Sequence, residues 1–152
     1  MPILPQCQSQ LSGKEVALLS STAIFVTMKK LALGFVALVA IEHLLILVME
    51  MFLWTSLGAK LFKLEADFAQ QTVVLAMNQG LYNGFLAAGL IWALLIKDDK
   101  WQNNVALFFL GCVAVAGIFG GLTAKWSIIL TQGLPAILGF LFTYLARPKQ
   151  IV

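Results

Sequence analysis

The sequence predicts an all-α integral membrane protein, built as a four-span antiparallel helical bundle with a short interfacial helix between spans one and two. Hydrophobic residues make up 61% of the 152 residues and charged residues only 11%. Soluble domains carry about 25% charged residues, so this chain has too little charge to cover a surface in water. Four apolar runs are long enough to cross a bilayer, and none alternates with the period of a strand.

The four runs define the predicted spans. A bilayer core about 30 Å thick needs about 20 helical residues, and each run reaches that length. We place the spans at about residues 31–54, 72–96, 105–124 and 127–146. They lie in a single transmembrane domain, residues 28–152.

Residues 1–27 precede this domain and differ from it. The apolar stretch from Val16 to Met28 is too short to span comfortably. We expect an N-terminal extension that is poorly ordered or lies upstream of a native start at Met28, where Met-Lys-Lys precedes the first span. The rival interpretation is a surface helix or a fraying helix.

The connections predict the orientation of the chain. Between spans one and two, apolar residues alternate with charged ones, which favours a short helix at the membrane interface. Seven of the ten Lys and Arg side chains lie in the termini and in the loop between spans two and three. Basic residues stay in the cytoplasm, so both termini are predicted to be cytoplasmic. The net charge of +3 comes without basic clusters and does not indicate nucleic-acid binding.

The first span carries the ionisable residues Glu42, His43 and Glu50. A charge inside a bilayer costs at least a few kcal/mol, so such residues usually face a protein interior and mark a functional site. Because each helical residue turns the chain by about 100°, these three residues and Trp54 share one third of the helix circumference.

The second span carries a facing polar group of Asn78, Gln79, Tyr82 and Asn83 on one side of its helix. If antiparallel spans pair at their ends, Glu50 lies level with Asn78, and His43 lies level with Asn83 and Gly84. Gln132 in span four lies at a similar depth. We therefore expect these side chains to converge in the outer half of the bundle.

Small residues recur at helical spacing and indicate close helix contacts. Gly80, Gly84 and Ala88 form one such row, and Gly117 with Gly121 forms another. Glycine-rich faces of this kind predict a candidate homodimer. The alternative interpretation is that these glycines and the amide side chains serve only helix association.

The polar residues fit proton-transfer chemistry better than metal binding. Glu42 beside His43 can exchange a proton with a ligand. Glu50 and His43 lie about 10 Å apart along the helix, too far to hold one ion unaided, so we predict no metal site. The sequence identifies no cofactor.

Two motifs carry a resemblance to a known family. The segment from Ile41 to Trp54, which contains Glu-His and Glu-Met-Phe-Leu-Trp, and the segment from Asn78 to Gly89 resemble a family of small four-span bacterial membrane proteins known only as a domain of unknown function. The resemblance covers about residues 28–146. It implies a bacterial cytoplasmic membrane and a functional role for six residues, Glu42, His43, Glu50, Asn78, Gln79 and Asn83.

Three functions fit these observations. The first is a site for a small lipophilic or lipid-like ligand with proton transfer, as in an isomerase or epimerase, with Glu42, His43 and Glu50 as candidate catalytic residues. Its ligand-binding residues would be Asn78, Gln79, Tyr82, Asn83, Trp54 and Gln132. The second is a small proton-coupled exporter with Glu42 as the carrier carboxylate, and the third is a structural or accessory membrane subunit. The sequence does not decide whether the protein is an enzyme.

Overall fold

The chain is helical throughout the described region. The computed structural model describes the backbone of residues 13–147 and the side chains of residues 18–147, and it has no strand in that range. The prediction of an all-α fold is therefore confirmed. In chain order the elements are α1 (Gly13–Phe52), the π-helix π1 (Trp54–Gly58), α2 (Ala59–Phe62), α3 (Ala66–Gln71), α4 (Val73–Leu95), α5 (Asp99–Thr123), the π-helix π2 (Ile129–Gly133) and α6 (Leu134–Leu145).

Helix α1 takes in more than the predicted first span. It is 40 residues long, so it is about 60 Å from end to end. Residues 13–27 of the predicted extension form its first part, and residues 18–27 are exposed throughout. Residues 1–12 lie outside the described residues, and the domain boundary at residue 27 stays a prediction.

One end of the molecule is defined by an ion pair between α1 and α5. Lys29 Nζ lies 2.7 Å from the Asp99 carboxylate at the start of α5. The turn between α4 and α5 is short because Ile96 is extended and ends α4. Asp98 then caps α5 by accepting the Trp101 backbone N–H at 2.8 Å. We call this the Lys29 end.

The opposite end, called the Trp54 end, holds two connectors that touch each other. Where the sequence predicts one interfacial helix, the chain forms π1, α2 and α3, because Lys63 adopts a left-handed conformation (φ 55°) that ends α2. Lys125, in the turn between α5 and π2, donates from Nζ to the Leu61 carbonyl at 3.2 Å. Its ammonium also lies 6.0 Å from the centre of the Phe62 ring.

The last helix begins with a π-helix for a reason visible in the sequence. Pro135 has no backbone N–H, so the Thr131 carbonyl loses its regular helical donor. The turn widens, and the Leu134 N–H reaches back to the Ile129 carbonyl. The result is a wider turn that contains Thr131 and Gln132.

Helices α1, α4, α5 and α6 enclose one apolar core. Helix α1 packs against α4 and α6, and α5 packs against the same two helices. The core residues lie from the middle of the molecule toward the Lys29 end and are Val36, Val39, Ala40, Leu90, Ala93, Val105, Ala106, Leu110, Val113 and Ala136. Toward the Trp54 end, the contacts between these helices are made by glycines.

Two helices of the described region are long and apolar enough to cross a membrane. They are residues 18–52 and 99–123, and a shorter apolar helix covers 129–145. Helix α4 is not among them, since the polar side chains of Asn78, Gln79 and Asn83 lower its mean hydropathy. By their length and apolar composition, these helices suggest a membrane protein.

Candidate functional site

His43 lies on the face of α1 that packs into the protein. The same face carries Val36 and Val39, and the His43 side chain is only 1% exposed. Its Nδ1 lies 2.9 Å from the Val39 carbonyl. Because a carbonyl only accepts, Nδ1 carries the hydrogen, and Nε2 of the neutral ring is an acceptor. Within residues 18–147 no hydrogen bond reaches Nε2, so this atom can take a proton or a donor from a ligand.

Glu50 makes the polar contact between α1 and α4. Asn83 Nδ2 donates to Glu50 Oε2 at 2.8 Å and to the Gln79 carbonyl of its own helix at 3.1 Å. Both side chains are half-buried. Their approach depends on Gly80, where a Cβ would lie 3.1 Å from Glu50 Cβ and 2.7 Å from Met51 Cγ. Gly80 therefore lets α4 approach α1 closely enough for the Asn83 amide to reach the Glu50 carboxylate.

The register of α1 against α4 differs from the expected one. Glu50 lies level with Gly80 and Asn83, so the expectation that it lies level with Asn78 is wrong by about one helical turn. Likewise, Gly84 packs on Leu47, not beside His43. The expected register assumed that the helices meet at their ends, but π1, α2 and α3 change where α4 joins α1.

Three of the predicted α4 residues make no hydrogen bond to Glu50 within the described region. Asn78 and Gln79 are exposed, and Tyr82 is 57% exposed. The Asn78 amide donates to the Val74 carbonyl of its own helix at 2.9 Å. The Tyr82 ring lies 6.3 Å from that of Phe85 on the same helix. Of the predicted α4 group, only Asn83 is hydrogen-bonded to an ionisable residue of α1 in the described part of the chain.

Glu42 has surroundings of its own. Its side chain is half-buried, about one third of a turn around α1 from His43. In the described part of the chain it has no hydrogen bond and no ion pair, with His43 or any other residue. It is thus a carboxyl group without a protein partner in the middle of an apolar helix.

Trp54 and Gln132 lie in the two π-helices. Trp54 Nε1 donates to Thr72 Oγ1 at 3.0 Å, and its indole packs over Gly58, where a Cβ would come within 2.7 Å of the ring. Trp54 therefore anchors the connector to the start of α4. Gln132 is half-buried beside Gly117 of α5, and its side chain has no hydrogen bond among residues 18–147.

Several polar residues with structural contacts have no signal in the sequence. Thr72 links Trp54 to the end of α3, since its hydroxyl also donates to the Phe68 carbonyl at 2.8 Å. Gln102 Nε2 donates to the carbonyls of Ala93 and Ile96 at 3.3 and 3.0 Å and so closes the end of α4. The Thr143 hydroxyl is buried and has no hydrogen-bond partner among the described residues. Their roles depend on helix ends and packing, which no residue spacing reveals.

No metal site is apparent in the described part of the chain. No three residues of the types His, Cys, Asp and Glu come together there. The two carboxyl groups and the imidazole can form hydrogen bonds and exchange protons.

These features define a class of all-helical protein that has apolar helices and a polar contact between α1 and α4. Residues 37–144 match the family described as "Protein of unknown function (DUF1304)", and the chain belongs to this family. It is also similar to "Uncharacterized protein YpaA" of Lactococcus lactis subsp. lactis (strain IL1403), with 32% identity over 110 residues, which cover 70% of this chain and 91% of that protein. No solved structure matches the chain. The resemblance seen in the two sequence motifs is thereby confirmed.

Proposed function

We propose that the protein is a four-span protein of the bacterial cytoplasmic membrane that binds a small lipid-soluble ligand beside Glu50 and Asn83. The spans are those expected at about residues 31–54, 72–96, 105–124 and 127–146, with both termini in the cytoplasm. The apolar length of α1 and α5 supports this placement. A candidate homodimer stays a prediction, because Gly80, Gly84, Gly117 and Gly121 already contact helices of their own chain.

The hydrogen bond between Asn83 and Glu50 is the observation that carries the proposal. It joins two helices at a half-buried position, and the second Glu50 oxygen has no hydrogen bond among residues 18–147, which leaves it available for a ligand. A carboxyl group inside an apolar helix is costly unless it is used or paired. Asn83 orients this group, as a supporting residue does in a ligand site.

The same residues can move a proton. An isomerase or epimerase removes a proton from one position of its substrate and returns a proton to another position or to the opposite face. Glu50 can accept the proton as a carboxylate and return it as a carboxylic acid. His43 Nε2 lies about two turns along the same face and can hold a distant polar group of an extended ligand.

Native mass spectrometry of the purified protein tests the binding site. The wild type is expected to retain a small lipid-soluble molecule, and Glu50→Gln should reduce its occupancy several-fold. The control is Glu65→Gln, which changes an exposed carboxylate in the connector before α3. Equal occupancy in both variants and the wild type would contradict a site at Glu50.

A proton-coupled exporter is the second candidate, and the state of Glu42 favours it. This carboxyl is half-buried and has no partner within the described residues, as a carrier of exchangeable protons requires. If the exporter hypothesis holds, Glu42→Gln should abolish resistance to lipophilic cations while Glu50→Gln keeps it. If neither variant changes growth or the amount of bound ligand, the results favour the hypothesis of a structural subunit.

A further inference from the structure

Glycines divide the Trp54 end of the molecule into two tightly packed pairs of elements. In the first pair, Gly80 and Gly84 of α4 contact Met51 and Leu47 of α1. In the second pair, Gly117 of α5 contacts the backbone of Gly133, at the junction of π2 and α6. Close approach at glycines fixes each pair, so any space at this end lies between the pairs.

Contacts of α5 with α4 are found toward the Lys29 end, whereas at the Trp54 end Lys125 joins only the connectors, through Leu61 and Phe62. The Phe109 ring of α5 fills the space in front of Gly89 of α4. Gln102 bonds the last carbonyls of α4 close by. Both contacts hold α5 against the second half of α4.

The side of α4 that faces α5 becomes exposed toward the Trp54 end. Tyr82 lies about two turns before Gly89 on the same side of α4, and Ala116 lies about two turns after Phe109 on the same side of α5. In antiparallel helices these two residues are at one level. Gly89 is buried, but Tyr82 is 57% exposed and Ala116 is exposed as well. Helices α4 and α5 therefore separate toward this end.

We infer that this separation is a side opening through which an amphiphile moves from the lipid to the Glu50–Asn83 pair. The inference rests on the proposed function, because it requires the helices to lie in a bilayer. One wall of the opening is polar, with Asn78, Gln79 and Tyr82 of α4. The other wall is α5, which carries an apolar groove of about 610 Å³ lined by Phe108, Gly111, Cys112, Val115, Ala116 and Phe119.

The two walls and the charges define the class of ligand. A polar wall beside an apolar groove fits a molecule with one hydrogen-bonding head and one apolar chain. Apart from the weakly acidic Tyr and Cys side chains, the ionisable groups on the predicted spans are carboxyls and an imidazole, without Lys or Arg, so an anionic head is disfavoured. We therefore assign the opening to an amphiphile with a neutral or cationic head that donates to Glu50, with its chain along α5.

Carbodiimides of different solubility test the route, because they modify carboxyl groups. In membranes, the lipid-soluble reagent dicyclohexylcarbodiimide is expected to label Glu50 several-fold more than a water-soluble carbodiimide does. The labelled residue is identified by peptide mass spectrometry. Equal or greater labelling by the water-soluble reagent would overturn the side opening, since it would show access from water.

Substitutions at the opening test its position. Ala116→Trp places a large side chain in the gap and should lower dicyclohexylcarbodiimide labelling of Glu50 several-fold. Ile118→Trp is the matched control, because Ile118 is exposed, lies on the opposite side of α5 from Ala116 and does not line the groove, so labelling should be unchanged. Equal labelling in the two variants would place the route elsewhere.

A cysteine at position 82 distinguishes lipid from a second protein copy on this surface. Tyr82→Cys, with Cys7 and Cys112 changed to Ser, should stay monomeric with a short bismaleimide. A cross-linked dimer would show that another copy covers the face, and the opening would be wrong. Release of the protein by alkaline carbonate would instead contradict the membrane placement itself, and so the proposed function.

Discussion

Glu42 and Glu50 are chemically identical side chains on one helix, but they have different surroundings. Glu50 accepts a hydrogen bond from Asn83, whereas Glu42 has no partner in the described region. Both carboxyls, and the helix faces on which they lie, were visible in the sequence. The sequence did not show that Glu50 pairs with Asn83 while Glu42 has no partner among the described residues, because this pairing depends on the register between α1 and α4.

The Asn83 side chain should stabilise the contact between α1 and α4. Asn83→Ala removes the donor to a half-buried acceptor, and we expect unfolding in detergent to become easier by about 0.5–2 kcal/mol. Asn78→Ala is the control, because the Asn78 amide is exposed and bonds only its own helix. A double-mutant cycle with Glu50→Ala isolates the pair, and zero coupling would show that the hydrogen bond contributes nothing.

Removal of the buried Thr143 hydroxyl should change the free energy of unfolding in the opposite direction. Its Oγ atom has no partner in the described structure, so Thr143→Val removes a desolvated polar group at nearly constant volume. We expect stability to stay equal or rise by about 1 kcal/mol in a thermal unfolding assay. Thr72→Val should instead destabilise, since it breaks the bond from Trp54. A loss of stability in Thr143→Val would reveal a partner for this hydroxyl.

At the scale of elements, the glycines determine which helices pair. The sequence predicts that Gly117 lies at a helix contact, and the structure has it against the Gly133 backbone. The row of Gly80 and Gly84 likewise lies at a helix contact, where it packs against α1. Spacing alone could not name the partner helix, because a row of small residues fits a neighbour in the same chain as well as one in another copy.

Gly117→Ala should destabilise the contact between α5 and π2. A Cβ at this position would lie 2.6 Å from the Gly133 Cα and N, and a backbone has little freedom to move away. We expect a loss of about 1–3 kcal/mol in unfolding measurements. Gly34→Ala is the control, since nothing lies within 4 Å of its Cβ position. That change should be neutral or stabilise α1 slightly. Equal effects would refute the close packing at Gly117.

For the molecule as a whole, composition predicted the all-helical class, and the apolar runs predicted the positions of the long helices. The connectors were harder to predict. The left-handed Lys63 and the π-helix at Trp54 arise from local backbone hydrogen bonds that hydrophobic periodicity does not contain. These irregular segments changed the register of α4 and so separated Asn78, Gln79 and Tyr82 from Glu50.

The proposed orientation predicts which connectors face the cell exterior. Ser56→Cys at the Trp54 end should react with a membrane-impermeant maleimide added to intact cells, in a background with Cys7 and Cys112 changed to Ser. Lys100→Cys at the Lys29 end should react only after the membrane is opened. The reverse pattern would invert the topology, and labelling of both positions in intact cells would argue against a membrane between the two ends.

The π-helix before α6 has a consequence for how this family can vary in length. A π-helix accommodates one residue more than an α-helix does over the same turn. Loss of a single residue between Ile129 and Gly133 would remove the extra residue of the wide turn and keep α6 in phase with its neighbours, while Pro135 stays in the first turn of α6. A deletion of Thr131 should therefore fold, whereas a deletion of Gly139 in the middle of α6 should not. Natural one-residue gaps among relatives are expected to fall at the first position.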